Sequence, residues 1–314
     1  MNVAIVGASG YGGIQAVNLL KNNKNFNITY LGGNKSAGSQ WNTLFPYIKL
    51  HNDPFIQEIS INKISDSSDI ALLCLPNGLS SSITPKLLKK GIKVIDLSAD
   101  YRYKSLIEWK RVYGKEDIAL NRSDNILCEE AIYGLPEINE KEISKARLIA
   151  CPGCYPTSSL LALVPFLSQG IIDSDGIVID AKSGTSGGGR EPKVNLLNSE
   201  CSEGFSAYSL INHRHTSEIE QILNLVTGKS VEILFTPHLL PMVRGMHCTI
   251  YGRLKDPGLT SNDCRIILEN YYRKYSNITV LPIGTYPSTK WVKNTNKVYL
   301  SSIVDNRNGR IIII

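Results

Sequence analysis

The opening of the sequence constrains the fold more than any other stretch. V-A-I-V-G-A-S-G-Y-G-G-I-Q-A-V-N-L-L places a short β-branched strand (Val3, Ile5, Val6), a glycine run and a helical apolar face (Val17, Leu19, Leu20) in succession. Gly7, Gly10 and Gly13 fall in the spacing G-x-x-G-x-x-G. Glycines at such a βα turn let the backbone double back and approach a pyrophosphate, whose charge is stabilised at the helix N-terminus. A glycine-rich turn with no ligand is the alternative; the strand–glycine–helix order favours a dinucleotide.

An absence refines this reading. NAD-binding folds usually carry an acid about 20 residues on, which holds the ribose 2′-hydroxyl. No Asp or Glu occurs before Asp53, and the second strand, N-I-T-Y-L-G-G, runs into Asn34-Lys35-Ser36. A lysine and a hydroxyl suit a 2′-phosphate, so the expected cofactor is NADP, with Lys35 and Ser36 as its contacts. Further strands at 69–76 and 92–100, a helix around I-T-P-K-L-L-K-K-G and a last strand at 146–153 continue a βαβ alternation. This implies a doubly wound Rossmann domain over residues 1–152. Residues 153–314 are left for a second domain.

Composition narrows the function class. At 42% hydrophobic and 20% charged residues the chain is an ordinary globular protein. A net charge of +6 is compatible with an anionic ligand, but no Lys/Arg block is dense enough for nucleic acid. No apolar run is long enough to span a membrane, and the N-terminus lacks a secretory pattern. The seven cysteines are odd in number and mostly in apolar runs, which points to buried thiols in a reducing compartment and a cytoplasmic location.

Within C-P-G-C-Y-P-T, Cys151 and Cys154 have no second C-x-x-C to complete a zinc site, so no metal is expected. Y-P-T-S-S-L-L-A-L-V-P-F-L-S-Q-G reads as a helix with core face Leu160, Leu161, Leu163, Val164 and Leu167, closed by Gly170. Cys154 then stands just before a helix N-terminus, where a thiolate is stabilised. It is either a nucleophile or a buried structural thiol. Farther on, a strand at 176–182 enters S-G-T-S-G-G-G-R, whose successive amides suit an anion-binding nest. Ser217 and Glu220 fit a capping box. His213 and His215 would then precede that helix as a pair, a pattern more often polar surface than site. Arg244 and, less firmly, Arg102 are candidates for a substrate anion.

Six stretches occur in one order: V-I-D-L-S-A-D-Y-R, Y-G-L-P-E-I-N, P-G-C-Y-P-T-S-S-L-L-A-L, S-G-T-S-G-G-G-R, H-R-H-T-S-E-I-E-Q and F-T-P-H-L-L-P-M-V-R-G-M. Together they resemble the N-acetyl-γ-glutamyl-phosphate reductase family of arginine biosynthesis, which is related to aspartate-semialdehyde dehydrogenase. The resemblance implies NADPH-dependent reduction of an acyl phosphate to an aldehyde through a cysteine thioester. It implies that residues 153–314 form an α+β catalytic and dimerisation domain with a large mixed sheet. It implies Cys154 as nucleophile, His215 as general acid/base with Glu218 orienting it, and His213 as the alternative base. It also implies Gly7, Ser9, Gly10, Tyr11, Gly12, Gly13, Ser183, Gly184, Ser186 and Gly187 around the cofactor. Arg102, Arg244 and Tyr155 would meet the substrate, in a homodimer or homotetramer. The rival readings are an aspartate-semialdehyde dehydrogenase activity and an inactive NADP-binding relative.

Three features depart from the family pattern. Cys151 stands where the family has Asn, so two thiols could oxidise together, and Ser217 replaces a Pro. K-V-Y-L-S-S-I-V-D-N-R-N-G-R-I-I-I-I reads as two strands around a turn at 306–309, after which the family's final helical segment is missing, and an exposed apolar strand is expected.

Overall fold

The computed structural model describes residues 1–114 and 122–314, which divide into two compact units, Met1–Pro152 and Gly153–Ile314. Among the described residues no helix is long and apolar enough to cross a membrane.

In the first unit the strands are β1 (Asn2–Val6), β2 (Asn27–Gly32), β3 (Ile70–Leu73), β4 (Lys93–Asp96), β5 (Ile132–Tyr133) and β6 (Leu148–Ala150). They form one parallel sheet in the order β2-β1-β3-β4-β6-β5. The connecting helices are α1 (Tyr11–Leu20), α2 (Ile61–Ser67), α3 (Ser80–Lys89), α4 (Leu106–Tyr113), α5 (Asn125–Glu130) and α6 (Pro136–Lys145). Strand side chains alternate between faces, and β1 shows the result. Val3 and Ile5 pack with Ile14, Val17 and Trp41, whereas Ala4 and Val6 pack with Tyr30, Leu87 and Trp109. Both faces are thus covered, as a doubly wound α/β domain requires. The chain leaves β1 for β2 on one side and returns to β3 on the other, so the strand order reverses at β1. Ligands of such sheets bind outside the carboxyl ends at that reversal.

Two of these strands are shorter than the expected 69–76 and 92–100. The shortening of β4 has a visible cause: the Asp96 carboxylate takes both the Ser98 N–H (3.0 Å) and the Ser98 hydroxyl (2.7 Å), which turns the chain out of the sheet.

The second unit opens with α7 (Cys154–Leu167), followed by β7 (Ile177–Ser183), β8 (Ser206–Ala207), α8 (Arg214–Thr227), β9 (Ile233–Leu239) and β10 (Met246–Arg253). Then come α9 (Ser261–Tyr272), β11 (Ile278–Val280), β12 (Val298–Leu300), β13 (Ser302–Asp305) and β14 (Arg310–Ile313). A mixed sheet runs β13-β14-β10-β7-β9-β8, and β11 pairs with β12 in a separate ribbon. Ile177, Ile179, Ala181 and Ser183 of β7 point inward, while Val178, Asp180 and Lys182 are half-buried on the other face. Helix α7 packs against α8, α9 and β10, and 11 of its residues are buried. It is therefore a central helix with more than the single core face its sequence suggests. Strand β14 pairs with β10 and β13, and Ile311 and Ile313 are fully buried. The expected exposed apolar strand is instead an interior one.

Candidate functional site

The loop after β1 has the form of a pyrophosphate cradle. Gly7 has φ +81°, and a Cβ there would lie 2.2 Å from the Cys74 carbonyl oxygen; at Gly13 a Cβ would lie 2.3 Å from the Gly7 oxygen. These two glycines are demanded by the turn itself. Gly10 is different: its nearest neighbour to a Cβ is the Gly7 oxygen at 3.5 Å, an ordinary contact. Gly12 likewise meets nothing closer than 3.6 Å. Packing within the chain does not require glycine at either place, whereas a ligand lying against the backbone does. Gly10 caps α1 with no side-chain hydrogen bond, and the first turn carries no acid. The helix thus presents its N-terminal amides and positive dipole end to an anion. Tyr11 is 40% exposed at this end. The Ser36 hydroxyl donates to Ser9 Oγ at 2.9 Å, tying the loop after β2 to the glycine loop, with Lys35 exposed beside it. These residues fit a dinucleotide.

Arg102 is placed otherwise than expected. Its Nε donates to the Cys151 carbonyl (2.8 Å) and an Nη to the Leu97 carbonyl (3.1 Å). It pins the chain just beyond β4 and β6, a positioning role that its sequence context did not suggest. Burial pushes the Cys151 thiol up to about 12, with Asp96 adding to the shift, so this cysteine is a poor second nucleophile. All seven cysteines are unbridged, and Cys154 is the exposed one.

Cys154 is itself the first residue of α7, after the Gly153 cap, so the thiol lies in the first turn and not ahead of it. It lines a cavity of about 390 Å³ together with Ser158, Met246 and Cys248. Glu218, fully buried, accepts the Gly153 N–H at 2.8 Å, fixing the peptide that precedes the thiol. Its carboxylate is thus bonded to the backbone of the residue just before the nucleophile.

The two histidines separate into different roles. Helix α8 begins at Arg214, three residues before the expected box at Ser217, and its cap is His213. His213 Nδ1 accepts the His215 N–H at 3.1 Å. Histidine is an uncommon cap, so propensity alone places the helix start too late; the capping box of this unit lies at Thr260 and Asp263 of α9. Burial, helped by Arg214, lowers His213 to about 4. A neutral imidazole whose lone pair serves the backbone is not a general base, and the alternative assignment to His213 falls. His215 sits in the first helical turn, one turn before Glu218. Both imidazoles meet the Tyr155 ring edge-on, at 5.6 Å (His213) and 5.9 Å (His215).

Tyr155 is 2% exposed, and its hydroxyl pairs with Tyr208 (3.2 Å) and the His238 carbonyl (3.4 Å). It is a packing residue beneath the site, not the substrate contact expected. The 184–187 loop is also corrected. Its amides donate to Gly245, Met242, Val243 and Gly184 carbonyls at 3.0, 2.9, 3.0 and 3.3 Å, so Gly184, Ser186 and Gly187 form no anion nest. Ser183 is buried and donates to the Gly184 carbonyl. A Cβ at Gly184 would lie 2.7 Å from the Val243 oxygen, which explains that glycine by close approach. Half-buried Arg244 lies in the partner loop.

Sequence reasoning missed the polar knot at the ends of β3 and β4. Asp100 accepts the Gly78 (2.6 Å) and Ser81 (2.8 Å) N–H groups at the start of α3. Burial, then Asp100, raises the Asp96 carboxyl to about 6. The acids of D-L-S-A-D were the available signal. Tyr208, by contrast, stands in a segment with no pattern.

Comparison with known proteins places this architecture. Residues 2–146 match the semialdehyde dehydrogenase NAD binding domain, and residues 154–314 the semialdehyde dehydrogenase dimerisation domain. An N-acetyl-gamma-glutamyl-phosphate reductase of Prochlorococcus marinus (strain MIT 9312) is 70% identical over 314 residues, covering 100% of this chain and 90% of the relative. One from strain MIT 9211 is 56% identical, covering 99% and 87%. Among solved structures, aspartate semialdehyde dehydrogenase II from Vibrio cholerae, complexed with ASA, has a TM-score of 0.73 at 16% identity, covering 99% of this chain and 91% of that one. The enzyme from Candida albicans with NADP has a TM-score of 0.68 at 15% identity, covering 99% and 92%. The last two show a shared fold; with the two domain matches and the 70% relative, they establish that this chain belongs to the N-acetyl-gamma-glutamyl-phosphate reductases of the semialdehyde dehydrogenase family.

Proposed function

We propose that the chain reduces N-acetyl-γ-glutamyl phosphate to N-acetylglutamate 5-semialdehyde and phosphate with NADPH, as a cytoplasmic homo-oligomer in arginine biosynthesis. The observation that carries the reading is 70% identity to a reductase of that name along the whole chain. An exposed thiol at a helix N-terminus within a ligand-sized cavity supports it.

Cys154 attacks the acyl carbon as thiolate, favoured at the first turn of α7 by the helix dipole. The carbon–oxygen bond to phosphate breaks and a thioester forms on Cys154. His215, as imidazolium, gives the proton taken up by the leaving phosphate. NADPH, when bound at the glycine loop of the first unit, supplies the hydride that brings the thioester carbon to the aldehyde level. The oxyanion so formed is stabilised by backbone amides of the first α7 turn. Its collapse expels the Cys154 thiolate and releases the aldehyde, and His215 regains a proton from solvent. Glu218 keeps the Gly153 peptide, and with it the thiol, in place. Arg244 is the candidate for an anionic group of the substrate. Preference for NADPH over NADH rests on Lys35, Ser36 and the lack of any acid before Asp53.

The direct test is phosphate-dependent NADP reduction with N-acetylglutamate 5-semialdehyde. Cys154→Ser is expected to bind NADPH normally and to lose turnover. Near-normal turnover of that variant would refute the assignment, and activity confined to aspartate semialdehyde would refute the substrate.

A further inference from the structure

The cavity that holds Cys154 has a second wall, built from the chain between α9 and β13. Ser288, Thr289, Val292, Thr295, Lys297 and Leu300 line it along with the thiol. The volume, about 390 Å³, falls in the range of small-molecule sites. Two lining residues carry basic side chains, His247 and Lys297. Burial and the nearby Lys182 hold His247 below its ordinary value, so it is neutral near pH 7. Lys297 is therefore the one permanent cation among the described lining residues. It is exposed, and its ammonium has no hydrogen-bond or ion-pair partner among the described residues.

The Lys297 backbone is held in place independently of its side chain. The Thr295 hydroxyl accepts the Lys297 N–H (3.1 Å) while donating to the Val292 carbonyl (2.8 Å). Val298 and Leu300 follow in β12, paired in register with Ile278 and Val280. A backbone fixed at the start of β12 thus holds Lys297 in the lining of the cavity that also contains Cys154.

We propose that Lys297 is a specificity-determining residue that recognises the substrate's α-carboxylate. The inference rests on the function proposed above. That substrate is anionic at both ends: the acyl phosphate must lie at Cys154, and the α-carboxylate lies three carbons away along the chain. Val292 and Leu300 offer the intervening methylenes an apolar surface, and Lys297 offers the far end a counter-charge. A semialdehyde without the carboxylate leaves the ammonium with nothing to pair, which is how a site discriminates against it.

The test uses the purified full chain in the direction of phosphate-dependent NADP reduction. Two aldehydes are compared, N-acetylglutamate 5-semialdehyde and 4-acetamidobutanal, which lacks only the α-carboxylate. Lys297→Met is expected to raise KM for the first about tenfold, as loss of a charged hydrogen bond in a partly wet site does. Its kcat and its KM for phosphate and NADP stay within about twofold by the same reasoning, since no other contact is touched. With 4-acetamidobutanal, wild type and Lys297→Met behave alike, and Lys297→Arg retains most of the discrimination. The proposal is overturned if Lys297→Met leaves KM for the semialdehyde unchanged, loses equally on both aldehydes, or shifts KM for phosphate instead. Wild-type turnover alongside any of these results refutes Lys297 alone; lack of wild-type turnover refutes the function itself, and the proposal with it.

Discussion

Two alanine substitutions in the glycine loop separate its fold-bearing role from its ligand-bearing one. In Gly13→Ala the new methyl lies 2.3 Å from the Gly7 oxygen and 2.6 Å from Ala8 Cα. Both are backbone atoms, so the turn itself must open. Overpacking of this kind costs about 1–3 kcal/mol. In Gly10→Ala the methyl meets only the Gly7 oxygen at 3.5 Å, on backbone already at φ −76°. A gain of about 0.4–1 kcal/mol from the stiffer unfolded chain offsets a loss of some tenths from a poorer helix cap. Stability is then unchanged to within about 0.5 kcal/mol. The same methyl stands where a pyrophosphate would lie against the backbone. Losing one charge-assisted hydrogen bond at about 1.5–3 kcal/mol corresponds to roughly ten- to hundredfold weaker binding. Urea unfolding measures the first effect and quenching or enhancement of NADPH fluorescence the second. The expected pattern is a stable Gly10→Ala that binds NADPH poorly and an unstable Gly13→Ala. Normal NADPH binding by Gly10→Ala would refute the cradle, and equal destabilisation of both variants would refute the steric argument.

Other outcomes follow from the same geometry. His215→Asn should lower kcat by about 10²–10⁴ while NADPH still binds, whereas His213→Asn should act on stability; stopped-flow turnover and urea unfolding of both variants decide it. The pH dependence of stability should carry two opposed contributions. The Asp96 pKa, raised to about 6, contributes stability that is full below about pH 4 and lost as pH climbs through 6. His213, lowered to about 4, contributes above about pH 6.5 and loses that contribution as pH falls towards 4. Stability between pH 4 and 6.5 should therefore rise more steeply with pH in Asp96→Asn and fall more steeply with pH in His213→Asn, the Asp96 share being on the order of 3 kcal/mol. Glu218→Ala, which strips the buried Gly153 N–H of its acceptor, should cost about 1–3 kcal/mol and lower kcat, with Glu218→Gln keeping most of the stability. Lys35→Asp should weaken NADPH binding and spare NADH, read by paired titrations.

What could be read from the sequence follows from how local each signal is. The α/β architecture was legible because β1 and its glycines, and the near-continuous apolar runs of β3 and β4, are periodic over short windows. Cys154 was legible because a Pro-Gly and a helix flank it within a few residues. The errors arose where a side chain acts at a distance. The start of α8 depends on an imidazole used as a cap, and the end of β4 on a carboxylate folding back two residues. Arg102 reaches across to Cys151, and Tyr155 to Tyr208, over separations that no spacing rule contains. The amides of Gly184, Thr185 and Ser186 looked available because their acceptors belong to residues 242–245, about sixty positions away.

That last pairing has a hereditary consequence. Since any side chain at position 184 would collide with the Val243 carbonyl, a change there forces the neighbouring turn to retreat and carries the Arg244 guanidinium with it. Mutations that retune what this arginine greets can thus arise at a glycine far from it in sequence. A side chain at 184 should be tolerated only on backgrounds in which the backbone of 242–243 has already moved away.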